Sequence, residues 1–116
     1  MQAYKAYKLT DYRSSINYYN QLIKEDRLNG SYYFGRGSSY MMFLKTDEAI
    51  KDFLESAQLN YRTGSCYFNL GLLNTFFNDS VALNYFKAAL KIYPNRDDIQ
   101  KEYDECLERL KTNSSH

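Results

Sequence analysis

A self-similarity of 34 residues constrains this chain more than any other feature. Ile16 recurs as Ile50, Tyr19 as Phe53, Tyr33 as Tyr67, Phe34 as Phe68 and Gly37 as Gly71, each pair 34 positions apart. Farther on, Ala49 recurs as Ala82, Phe53 as Phe86 and Leu59 as Ile92, each 33 apart. That change of spacing places a one-residue deletion between Gly71 and Ala82, where a turn absorbs it at least cost. A period of this size marks an array of supersecondary units, each too small to bury its apolar face alone. Within the units the apolar residues follow helical spacing, as in Ile50, Phe53, Leu54 and Ala57, or Leu83, Phe86, Ala89 and Leu90. Each repeat therefore reads as two helices.

The remaining composition narrows the class by exclusion. A chain of 116 residues fits one short array rather than two enzyme domains. Fifteen lysines and arginines stand against fourteen aspartates and glutamates, so no broad basic face for nucleic acid or acidic lipid is expected. No apolar stretch approaches the roughly 20 residues that span a bilayer, and the N-terminus lacks a signal core. A soluble protein, cytoplasmic by default, is the expectation. Cys66 and Cys106, 40 residues apart and without histidine company, read as free thiols packed in helix faces.

The ordered residues of each unit bring a known family into view. The middle unit supplies Tyr33, Gly37, Tyr40, Ala49, Phe53 and Ser56; the next supplies Tyr67, Leu70, Gly71, Ala82, Phe86, Ala89 and Pro94. Residues 30–61 and 64–95 thereby resemble tetratricopeptide repeats. The resemblance implies an all-α fold, a right-handed α-solenoid of about three helix hairpins plus a C-terminal capping helix. Its divisions are a domain over residues 1–111, made of a partial repeat 1–29, repeats 30–63 and 64–94, and a capping helix 95–111, before a disordered tail 112–116.

In this reading Gly37 and Gly71 let paired helices approach closely, Ala49 and Ala82 are the surfaces they meet, and Phe53 and Phe86 fill the space between neighbouring pairs. The first unit follows the pattern at Tyr7, Asp11, Tyr12, Ser15, Ile16, Tyr19 and Leu22, and the helix carrying Tyr4 and Tyr7 would begin about four residues before Met1. Departures fall at Arg27 and Tyr61 in the closing-proline slot, at Leu22 in a small-residue slot and at Asn74 in an aromatic one. Asp11, Thr46, Asn78 or Asp79, and Asn95 are placed to cap the helices that follow. The last helix should run to about Leu110, apolar at Ile99, Tyr103, Cys106, Leu107 and Leu110, with Asp97 and Lys101, and Glu105 and Arg109, as opposite-charge neighbours.

Chemistry has no foothold in the sequence. The single histidine is His116, so no serine or cysteine nucleophile has a credible base. Gly35 and Gly37 lie within a helix rather than in a phosphate-binding loop after a strand. The acidic residues spread along helix surfaces, and three Asn-X-Ser triplets, beginning at Asn29, Asn78 and Asn113, read as chance matches in an asparagine-rich chain. The expectation is a protein that is not an enzyme and needs no metal or other cofactor.

The resemblance implies a binding groove lined by the first helix of each pair. It would present Tyr4, Tyr7, Phe34, Ser38, Met41, Met42, Phe68, Asn69, Leu72, Thr75 and Phe76, with Lys101 and Glu105 as the far rim. The family's best-known mode clamps the acidic tail of heat-shock chaperones with lysines, arginines and asparagines. Here Gly35 and Ser38 stand where that clamp needs asparagine or a base, leaving only Asn69, so such a clamp is not expected. Tyrosine, phenylalanine and methionine instead suit an apolar or amphipathic segment of another protein. The expected function is a protein-interaction adaptor or scaffold, the alternative a self-associating segment of a larger repeat protein. Size and apolar groove also resemble bacterial secretion chaperones.

Overall fold

The computed structural model describes residues 11–75 and 77–114. Among these the secondary structure is six α-helices and no strand: α1 Tyr12–Glu25, α2 Gly30–Met42, α3 Thr46–Gln58, α4 Thr63–Asn74, α5 Asp79–Ile92 and α6 Asp97–Ser114. They fall into two compact units that divide between Arg62 and Thr63.

In the first unit, α1 starts where the Asp11 carboxylate accepts from the Ser14 backbone N–H at 3.1 Å. Small side chains let α1 and α2 meet closely. Ser15 and Ser39 are both fully buried, their hydroxyl oxygens 2.8 Å apart, and the Ser39 hydroxyl donates onward to the Gly35 carbonyl at 3.1 Å. A Cβ on Gly35 would meet the outer end of the Tyr19 ring, which packs directly on the glycine. Between α2 and α3, Phe53 is fully buried, with its ring 3.3 Å from where a Cβ on Gly37 would be. Asp52, nearly inaccessible beside it, receives two bonds of 2.8 Å from the Arg36 guanidinium, which also donates to Asn20 of α1 at 2.8 Å. Tyr33 and Tyr40 hold the cation over their rings at 5.7 and 5.8 Å. One arginine thus ties three helices.

Two helix ends share a left-handed cap. The Lys45 N–H reaches the Tyr40 carbonyl at 2.8 Å and the Leu44 N–H reaches that of Met41 at 3.2 Å, with Leu44 at φ 61°. The Tyr61 N–H likewise reaches Ser56 at 3.0 Å and the Asn60 N–H reaches Ala57 at 2.9 Å, with Asn60 at φ 61°. Both are Schellman motifs, usually closed by glycine; asparagine tolerates that conformation better than leucine does.

In the second unit, Gly71 lies against the fully buried Phe86 ring, 2.5 Å from the place a Cβ would take. Ala82, Phe86 and Cys106 form a core flanked by Phe68, Leu72, Leu83, Tyr103 and Leu110. Asn78 caps α5 by accepting from the Val81 N–H at 3.1 Å. Asp79, in the first turn of α5, then holds α6: it pairs with Arg109 at 3.1 Å, and its carbonyl accepts from the Cys106 thiol at 3.1 Å.

Several local expectations change. Thr46 is the first residue of α3 and Lys45 takes the cap position without a side-chain bond, while Asn29 caps α2 through the Ser31 N–H at 3.0 Å. Asn95 lies outside α6, which starts at Asp97 with the Arg96 carbonyl accepting from Gln100 at 3.1 Å. Phe53 and Phe86 pack inside their own helix pairs, against Gly37 and Gly71. Arg109 turns to Asp79 rather than to Glu105, and Lys101 pairs with Glu105 at 4.0 Å. The last helix runs to Ser114, where a tail from 112 was expected, and the Thr112 hydroxyl continues it by donating to the Glu108 carbonyl at 3.0 Å.

Candidate functional site

Close approach of α1 and α2 leaves a hollow beside their contact. Ser15, Tyr19, Phe34, Gly35, Ser38, Ser39 and Arg62 line a cleft of about 360 Å³ in the first unit. Phe34 forms its aromatic wall, half-buried and set edge-on to Phe53 at 5.4 Å and to Tyr61 at 5.8 Å. The Arg62 guanidinium lies over the Phe34 ring at 5.7 Å and the Tyr61 ring at 5.9 Å. Its backbone is left-handed, φ 45°, one of three non-glycine residues in that region among those described.

The hydroxyls of the lining differ in availability. Ser15 and Ser39 share a bond, Ser39 donates to Gly35, and Ser38 donates to the Phe34 carbonyl at 2.9 Å. Tyr19 has no hydrogen-bond partner among the described residues; burial, with the negative potential of Tyr61 and Tyr18 added, pushes its phenol up, so it stays a donor. No carboxylate lines the cleft.

Of the residues expected from sequence, Phe34 and Ser38 enter this cleft. Met41 is half-buried and Met42 exposed, one helical turn farther along α2. In the second unit, Phe68 and Leu72 lie on the flank of the core, half-buried, with Phe68 6.0 Å from the Phe86 ring. Asn69 and Thr75 are also half-buried, and the Thr75 hydroxyl is spent on the Gly71 carbonyl at 3.0 Å. Lys101, expected at the rim, is exposed and engaged by Glu105. Tyr4, Tyr7 and Phe76 lie outside the described residues. Sequence reasoning missed Ser15, Tyr19, Gly35, Ser39 and Arg62 as lining. Tyr19 and Gly35 carried signals, an aromatic in the repeat register and a helical glycine, but nothing in the sequence marks Arg62 as left-handed.

No family model matches the chain. Human DnaJ homolog subfamily C member 7 is 32% identical over 104 residues, covering 84% of this chain and 20% of that protein. Serine/threonine-protein phosphatase 5 of Rattus norvegicus is 26% identical over 111 residues, covering 95% of this chain and 22% of that protein. The chain thus spans about a fifth of the length of these relatives. The first tetratricopeptide-repeat domain of Spaghetti (RPAP3), solved bound to an HSP90 peptide, superposes with a TM-score of 0.88 at 21% identity, covering 94% of this chain and 87% of that one. This chain is built of tetratricopeptide repeats. The Yersinia enterocolitica type III secretion chaperone SycD, in complex with a peptide of the translocator YopD, superposes with a TM-score of 0.83 at 15% identity, covering 97% of this chain and 89% of that one. Both of these solved structures hold a peptide of another protein.

Proposed function

We propose that this tetratricopeptide chain is an adaptor that binds a peptide segment of another protein, apolar or amphipathic; the face of α2 is the candidate surface of the first unit and the face of α4 that of the second. The observation that carries the reading is the half-open state of Phe34, Ser38 and Met41 on α2 beside the 360 Å³ cleft. Phe68, Asn69, Leu72 and Thr75 keep a comparable half-open state on α4. Aromatic and thioether side chains that are partly buried before binding lose little freedom on contact, which suits them as anchors. The solved peptide complexes of similar structures support the same reading. A near-neutral charge balance and a single histidine, His116, favour protein binding over nucleic-acid binding or catalysis.

The test is a fluorescence-detected peptide library screened against the full chain and against Met41→Ala with Asn69→Ala, two positions outside the fully buried core. The expected result is unchanged helicity with weakened retention of the selected peptides. Unchanged helicity with unchanged retention overturns the assignment of these faces.

A second reading, self-association, draws on apolar side chains in or beside turns: Leu28, Leu44 and Phe77 are 79%, 85% and 74% exposed. Light scattering across a hundredfold concentration range decides it. Constant monomer mass removes that reading.

A further inference from the structure

The cleft of the first unit joins one cation and one phenol on an aromatic wall, neither with a hydrogen-bond partner among the described residues. Arg62 has no carboxylate partner among the described residues, and its guanidinium lies on the Phe34 and Tyr61 rings. The Tyr19 hydroxyl is the second open donor, while the serine hydroxyls are spent on one another and on helix carbonyls. A cleft with donors, positive charge and no acid complements an acceptor that is itself negative. The backbone adds a separate observation. Asn60 already supplies the left-handed residue that closes the Schellman turn of α3, so the left-handed Arg62 lies outside that cap. In this less favoured conformation Arg62 keeps its guanidinium over the Phe34 ring.

We infer that the cleft reads a single acidic side chain, glutamate or aspartate, within a bound peptide, with Arg62 and the Tyr19 hydroxyl as its donors and Phe34 as the platform for the neighbouring apolar residue. The inference rests on the adaptor reading and deepens it. It differs from a clamp of several bases around a chain end, because one guanidinium and one phenol match one carboxylate.

The probe is a positional-scanning library of N-acetylated, C-amidated octapeptides presented to the full chain. The expected result is selection of glutamate or aspartate at one position beside an apolar residue. Glu→Gln in the selected peptide should then weaken binding about tenfold, and added salt should erode that difference. In Arg62→Gln, whose exposed side chain leaves helicity intact by circular dichroism, the glutamate and glutamine peptides should bind alike. Arg27→Gln, a surface arginine outside this cleft, should keep the full difference. Peptides retained with no acidic preference, or an acidic preference that survives Arg62→Gln, overturn this inference and leave the adaptor reading standing. Binding only of parallel peptides with a free C-terminus assigns the cleft to chain ends and also overturns it. Retention of no peptide at all removes both readings.

Discussion

Leu44 holds a left-handed backbone that a leucine rarely adopts. It closes the turn after α2 at φ 61°, 85% exposed, so its side chain gains little burial to offset the strain. Leu44→Gly should raise stability by about 1 kcal/mol, read as a higher midpoint in urea with an unchanged slope. Glycines give the opposite sign. A Cβ at Gly35 meets the outer end of the half-buried Tyr19 ring, which can swing aside, whereas one at Gly71 meets the fully buried Phe86 ring, which cannot. Gly71→Ala should therefore cost about 2–3 kcal/mol and Gly35→Ala less, although the second contact is the shorter. Gly37 and Gly71 were legible because they recur with the period. Gly30 and Gly64 recur at the same spacing and carried an equal signal, each packed against a tyrosine at the end of its own pair. Arg62 was illegible, since its conformation follows from the turn around it and no residue type advertises it.

The helices owe their ends to local chemistry and their sides to pairs across the fold. Asp11 was readable as a cap, and Asn78 as one of two candidates with Asp79, because the residue type does the capping; Lys45 was not, because backbone geometry replaces a side-chain bond there. The Ser14 hydroxyl and N–H hold the Asp11 carboxyl below its ordinary value of 3.8. A folded value below the unfolded one means that the cap contributes above the ordinary carboxylate range and is lost as pH falls through the folded value. Acidification below about pH 3.8 should thus fray the start of α1, seen as loss of amide protection at Ser14 and Ser15. Arg36 and Asp52 could not be paired from sequence, as 16 residues and a turn separate them. Asp52→Ala removes the carboxylate and leaves a guanidinium with 21% of its side chain exposed, so urea denaturation should show a loss of about 2–3 kcal/mol, below the cost for a fully buried pair.

At the scale of the molecule, the period announced the fold class, and the six helices of the described residues follow it. The candidate site was legible only in part. Phe34 and Ser38 came from the repeat register, but the cleft they enter depends on how closely α1 approaches α2, which Ser15, Ser39 and Gly35 decide. Both cysteines lie in the second unit, fully buried, and burial together with the Asp79 charge pushes the Cys106 thiol up. Neither thiol should react with a disulfide reagent at pH 8 in the native state, and both should react once urea opens the second unit. A thiol-exposure midpoint matching that of tyrosine fluorescence would show both units melting together. Within each unit the substantial packing joins helices that follow one another along the chain, α1 with α2 and α2 with α3, then α4 with α5 and α5 with α6. Little loop entropy has to be lost before such contacts form, so folding should be complete within milliseconds. During synthesis, each helix meets its partner almost as soon as it leaves the ribosome.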